Sequence, residues 1–122
     1  MKLLTKQQHD KLIANGKDRD KDHPPVVKLF MTNTNCTWLL SEIDSEYPDI
    51  AFGLCDLGMG FPELGNVSLS ELKEVEKSGF MRFLERDLFF EGNFPMSVYA
   101  RAARAHEHII TDETVLKRYL PK

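Results

Sequence analysis

The chain has 122 residues, 42% of them apolar and 29% charged, and a formal net charge of −3. That is enough apolar material for the core of one domain, which excludes wholesale disorder, while no apolar run approaches the ~20 residues of a membrane span. The opening Met-Lys-Leu-Leu-Thr-Lys-Gln-Gln-His-Asp lacks the apolar stretch of a signal peptide, so a cytoplasmic protein without a membrane partner is expected, and its two cysteines, Cys36 and Cys55, are too few for a disulfide framework and are expected reduced and packed.

Thr5-Lys-Gln-Gln8 has the form of a capping box and predicts a helix running to Asn15-Gly16, with Leu12 and Ile13 facing inward. A charged linker at 17–23 ends in Pro24-Pro25. Residues 26–31 are β-branched and aromatic and read as a strand; residues 32–35 hold two asparagines suited to a turn; residues 36–43 read as a second strand, antiparallel to the first. A third strand at 50–55 alternates large Ile50, Phe52 and Leu54 with small Ala51, Gly53 and Cys55, so one face is open to close approach.

Gly58, Gly60, Pro62 and Gly65 punctuate the next stretch, read as a loop. Ser68-Leu-Ser-Glu71 repeats the capping-box pattern, with Val67 and Leu72 placed for a hydrophobic staple, and predicts a helix with Leu69, Leu72 and Val75 inward and a stop at Lys77-Ser78-Gly79. Residues 80–90 read as a strand or broken strand. Pro95 opens a helix carrying Tyr99, Ala102, Ala103, His106 and Ile110 on one apolar stripe, and the tail from Thr111 reads as a last short helix halted by Pro121. The expected fold is α+β, a small mainly antiparallel sheet with helices at the N-terminus, middle and C-terminus.

Charge is distributed unevenly. Residues 29–76 hold one Lys against nine Asp/Glu, whereas residues 1–28 and 77–122 are both mildly basic. A one-signed central region steers a basic partner. The candidate binding residues are Asp44, Glu46, Asp49, Asp56 and Glu63. The alternative is that Asp49, Asp56 and Glu63 converge on a hard divalent cation, as in metal-dependent hydrolases and nucleases, although their spacing follows no calcium-loop pattern; the plainer interpretation is a solvated surface with turn-forming aspartates.

Other motifs carry less. Gly58-Met-Gly60 lacks the third glycine of a dinucleotide fingerprint and no Gly-Lys-Ser/Thr is present, so no cofactor is expected. Cys36 and Cys55 lie in predicted strands, where thiols are inert. His106 and His108 stand two apart on a predicted helix and point about 200° apart, so they cannot share one ion; His106 is expected partly buried. Arg82, Arg86, Arg101, Arg104, Lys117 and Arg118 interleave with Glu85, Asp87, Glu107, Asp112 and Glu113, which argues against direct nucleic-acid contact.

The segments Leu4-Thr-Lys6, Pro25-Val-Val-Lys-Leu-Phe30, Thr37-Trp-Leu-Leu40, Asp49-Ile-Ala-Phe-Gly-Leu-Cys-Asp-Leu-Gly58, Pro62-Glu-Leu-Gly-Asn-Val-Ser-Leu-Ser-Glu-Leu72 and Pro95-Met-Ser-Val-Tyr-Ala100 carry a likeness. Through them the chain resembles an uncharacterised bacterial domain family of small proteins often encoded on plasmids and integrative elements. The likeness spans residues 3 to about 104. A single domain over 1–122 is expected, with an N-terminal helix and linker at 1–23, the family core at 24–104 and an extension at 105–122. The resemblance brings no catalytic residues. It implies an accessory protein of mobile DNA, sometimes near anti-restriction genes. A non-enzymatic protein that binds a basic, DNA-handling partner through the acidic residues is the function expected.

Overall fold

A computed structural model describes residues 3–78 and 83–121, with residues 75–78 described as backbone. Helix α1 (Lys6–Gly16) precedes four strands, β1 (Val27–Met31), β2 (Thr37–Ile43), β3 (Ile50–Asp56) and β4 (Glu63–Ser68). Helix α2 (Leu69–Ser78), strand β5 (Leu84–Arg86), helix α3 (Met96–His106) and helix α4 (Glu113–Leu116) follow, and a 3-10 turn, Lys117–Tyr119, continues α4. The strands form one antiparallel sheet in the order β4-β3-β2-β1-β5. The α+β expectation holds. No helix among the described residues is long and apolar enough to cross a membrane.

Both faces of the sheet are covered. On one face Leu12 of α1 and Leu72 of α2 pack with Val27, Leu29, Trp38 and Leu40. On the other, Val98, Tyr99, Ala102 and Ala103 of α3, with Leu116 of α4, close over Leu39 and Leu54. Period-two alternation sends Trp38 and Leu40 to the first face and Leu39 to the second, so the central strand β2 is apolar on both sides. The small residues of β3 face α1 and α2 (Ala51 and Cys55 join that core), while Leu54 meets α3.

β2 carries a bulge. Leu40 pairs with Gly53 and Glu42 with Phe52, leaving Ser41 without a partner on β3. Its carbonyl, buried with the rest of the residue, accepts a hydrogen bond from Asn15 Nδ2 at 2.9 Å. Two glycines allow this approach. A Cβ on Gly16 would lie 1.8 Å from the Ile43 carbonyl oxygen, and a Cβ on Gly53 would lie 1.9 Å from that of Leu39. Gly16 therefore acts through closeness rather than as a left-handed helix stop; α1 ends at Lys17, a right-handed cap.

The capping box at Thr5 and Gln8 is formed in both directions, at 3.0 Å each way. In the turn before β2, Asn33 takes the left-handed conformation (φ 59°). Three expectations change. Residues 63–68, read as loop, form β4, because six consecutive pairings with β3 outweigh a Gly- and Asn-bearing sequence of low strand preference. Helix α3 ends at His106, not near Ile110, because Glu107 turns left-handed (φ 64°), a conformation for which Gly would have been the sequence signal. Of the strand or broken strand expected at 80–90, residues 80–82 lie outside the described residues, and among the described ones Leu84–Arg86 is strand, on the outer side of β1. Val75 as an inward residue, Gly79 as a helix stop and Arg82 lie outside the described side chains.

Asn15→Ala leaves the Ser41 carbonyl buried and unpaired and is expected to lower unfolding free energy by about 1–3 kcal/mol. Urea denaturation reads this directly. A change within ~0.5 kcal/mol, the range of neutral surface substitutions, would remove the contact from any structural role.

Candidate functional site

The stretch between β3 and β4 is held by its backbone and presents its side chains outward. Asp56, only 4% exposed at the end of β3, accepts from the Gly58 N–H at 2.8 Å through Oδ1 and from the Ile109 N–H at 3.0 Å through Oδ2. One carboxylate thus ties the loop to the segment that follows α3. Gly58 and Gly60 take φ of 76° and 86°, the left-handed region that glycine enters without strain. Asn35 leaves no room for a side chain at Gly58, and Cys36 Sγ lies 3.6 Å from the Leu57 carbonyl. On this fixed backbone Leu57, Met59 and Phe61 stand 57%, 74% and 79% exposed, and Leu64 at the start of β4 is also exposed.

A groove runs from this loop along β4 on the α3 side of the sheet, the side on which Leu64 pairs with Leu54 and Asn66 with Phe52. At the loop end an open hollow of about 520 Å³ is lined by Phe61, Glu63, Leu64, Arg104 and Glu107. At the other end a hollow of about 250 Å³ is lined by Leu64, Asn66, Phe52, Glu42, His23 and Met96, among others. Burial pushes the Glu42 carboxyl above the usual glutamate range; His23 and Arg19 pull it back and Asp44 adds to the rise. The other charges of this hollow are engaged. Arg19 pairs with Asp44 at 3.6 Å, Lys21 with Asp18 at 3.0 Å, and Asp22 caps α3 by accepting from the Ser97 N–H at 3.0 Å and from the Ser97 hydroxyl. Among the described residues the Glu42 carboxylate accepts no hydrogen bond and has no cation within ion-pair distance.

The five carboxylates singled out from sequence fall at both ends of β3. Asp44 closes the β2–β3 turn by accepting from the N–H groups of Glu46 (2.8 Å) and Tyr47 (3.1 Å); those bonds, with Arg19, hold its carboxyl below the usual aspartate range. Asp49 sits beside the start of α2. It accepts from the Ser68 hydroxyl (2.5 Å), the Ser70 hydroxyl (2.8 Å) and the Ser70 N–H (2.9 Å), which likewise depress its pKa. Of the capping box read at Ser68 one half forms, Ser68 Oγ taking the Glu71 N–H at 3.2 Å, while Asp49 on the neighbouring strand end supplies the second acceptor. Asp56 is the loop latch. Glu46 and Glu63 are exposed.

Asp49 and Asp56 lie seven residues apart along one strand, about 23 Å at the rise of an extended chain. The structure does not bring Asp49, Asp56 and Glu63 together, and no group of three metal-ligating side chains forms among the described residues. His106, expected partly buried, is exposed at the end of α3; its Nε2 lies 3.1 Å from the Tyr119 hydroxyl, and His108 Nδ1 lies 2.8 Å from the His106 carbonyl. Cys36 and Cys55 are free and half-buried, and burial raises the Cys55 thiol pKa. Sequence reasoning missed the apolar exposure of the loop. Its signal was present, since Leu57, Met59, Phe61 and Leu64 recur within eight residues that also hold Gly58, Gly60 and Pro62.

A family model described as a protein of unknown function, DUF2958, matches residues 3–110, most of the chain. The chain belongs to the DUF2958 family. No curated protein and no solved structure matches it. The matched span of this DUF2958 chain takes in the loop, both hollows and the Asp56–Ile109 bond.

Two outcomes test these assignments. Asp56→Ala removes the acceptor of two part-buried N–H groups and is expected to cost about 1–3 kcal/mol and to speed amide exchange of Gly58 and Ile109 together; exchange unchanged at either would separate the loop from the tail. Asp49 has a folded pKa below its unfolded one, so its stabilising effect is full above an unfolded value near ~3.9 and is lost as pH falls through the depressed folded value. Asp49→Ala should therefore be less stable than wild type at neutral pH, and the two should converge in strong acid. A difference independent of pH would mean that ionised Asp49 does not cap α2.

Proposed function

We propose that this protein is a non-enzymatic binding module that grips a protein partner through the 57–64 loop. The observation that carries this reading is the outward display of Leu57, Met59, Phe61 and Leu64 on a backbone pinned by Asp56 and two left-handed glycines. Exposed large side chains are ordinary when scattered. Here they crowd one loop: Phe61 and Leu64 border the α3-side hollow with Arg104 and Glu107, while Leu57 borders a hollow with Trp38, Val67 and Leu72 on the opposite face, so the loop offers apolar surface to both sides of the sheet edge. Rigid apolar anchors surrounded by polar rim residues are also the arrangement of interface hot spots.

The acidic residues take a different place in this reading from the one that sequence suggested. Asp44, Asp49 and Asp56 are engaged in a turn, a helix cap and a latch, so the contribution of negative charge to binding falls on exposed Glu46 and Glu63 and on Glu42. The linker leaves that balance unchanged, since Lys17, Arg19 and Lys21 match Asp18, Asp20 and Asp22. Such a field favours a basic partner and speeds its encounter. With the mobile-DNA context that the family resemblance implies, the partner class proposed is a basic DNA-handling protein of the host, and the role an accessory one, in evasion of host defence.

The double substitution Met59→Ser with Phe61→Ser tests this. Both side chains are exposed, so stability should stay within ~0.5 kcal/mol of wild type, while affinity for the captured partner should fall by about 2 kcal/mol or more. Capture from host lysate should also weaken as salt rises. Equal capture by wild type and double variant would overturn the reading.

A further inference from the structure

β4 is the outermost strand of the sheet, and its outer edge has no backbone partner among the described residues. Edges left open in soluble proteins are commonly short, bulged, or guarded by Lys or Pro. On β4 the one guarding charge is Glu63, at its first position. The strand is six residues long, pairs with β3 without a break, and contains neither Lys, Arg nor Pro between Glu63 and Ser68. The opposite edge is three-residue β5. The open edge is continuous with the exposed loop and borders both hollows.

Resting on the protein-binding reading above, we infer that the partner contributes an extended segment that adds to β4 as a sixth strand, placing an apolar side chain in the hollow beside Phe61 and Leu64 and a Lys or Arg in the hollow beside Glu42. Strand addition draws affinity from main-chain hydrogen bonds and specificity from pockets for alternate side chains. The two hollows lie on the same face of the sheet, at the levels of Leu64 and Asn66, so two side chains of the same parity on an added strand fill them.

Charge and reach decide the second side chain. Among the described residues the Glu42 carboxylate is the one in its hollow with neither an ion pair nor a hydrogen bond, whereas Arg19, Lys21 and Asp22 are taken. Glu42 pairs with Phe52, which pairs with Asn66, so it lies two strands in from the edge. At ~4.8 Å per strand its backbone is about 14 Å from the axis of an added strand, a gap that closes only when the long side chain of a Lys or Arg and the Glu42 side chain both extend toward each other.

A second copy of the chain fits less well. Antiparallel β4–β4 pairing would set the apolar 57–61 loop of one copy against the start of α2 in the other, where Asp49, Ser68, Ser70 and Glu71 cluster. Burying those polar groups against Met59 and Phe61 would cost more than it returns.

Gly65, at the centre of β4, permits a clean test, because a side chain there meets nothing within 4 Å and its backbone is not left-handed. The probe is a phage-displayed library of linear peptides selected against the whole protein. The expected result is enrichment of sequences in which an apolar residue and a Lys or Arg share parity, slowed amide exchange across residues 63–68 on binding the enriched peptide, a roughly tenfold loss of affinity in Gly65→Lys, and retention in Gly65→Thr. Enriched peptides that leave β4 exchange unchanged would overturn the strand-addition inference while leaving the loop reading to the Met59/Phe61 variant. So would concentration-dependent dimers that protect β4 without peptide, equal affinity of Gly65→Lys and wild type, or no enrichment at all.

Discussion

The hydrogen bond from Asn15 to the Ser41 carbonyl governs much of this architecture. A bulge leaves a peptide group without ladder partners, and in the middle of a strand covered on both faces there is no water to take it up. The side chain of Asn15 satisfies the carbonyl, and the missing side chains of Gly16 and Gly53 let the helix end and the neighbouring strand come close enough. The bulge separates the pairings Leu40–Gly53 and Glu42–Phe52. It thereby brings Glu42 to the α3 side, facing the groove. A packing detail on one face of the sheet thus fixes the chemistry available on the other.

The surface features share a logic of occupied and unoccupied groups. The three aspartates in the acidic middle of the chain, Asp44, Asp49 and Asp56, satisfy backbone N–H groups at turns and a helix start, which is the commonest work of Asp. What remains is unusual for a small domain: several large apolar side chains on a pinned loop, an open strand edge beside it and a partly buried glutamate in the hollow that the edge borders. Each is unfavourable or hazardous for an isolated chain. Their adjacency makes a common purpose in binding a simpler account than three separate defects.

Local signals were legible wherever short-range chemistry decides structure. The capping box at Thr5–Gln8, the hairpin around Asn33 and the two-faced pattern of β3 all follow from neighbours within a few residues. What sequence did not disclose was set at long range. β4 is a strand because β3 pairs with it; α3 stops because Glu107 adopts a conformation usually left to glycine, after which Ile109 donates to Asp56, 53 positions earlier. For the candidate site, the acidic residues were visible but their engagement was not, since the acceptor role of Asp49 depends on Ser68 and Ser70 across a sheet. The apolar run in the loop was visible too, but only folding distinguishes an anchor facing solvent from one facing a core.

The double attachment of Asp56 has a consequence for how the chain acquires its final shape during synthesis. β3 and the loop leave the ribosome well ahead of Ile109, so the carboxylate must wait, hydrated, with only its near acceptor filled. Until the stretch after α3 arrives, the loop lacks half of its anchorage, and its oily tip is held less firmly than in the completed fold. Maturation of that tip is thereby timed to the closing of the second core around Leu116, which delays full presentation of a sticky surface until α3 and α4 are in place.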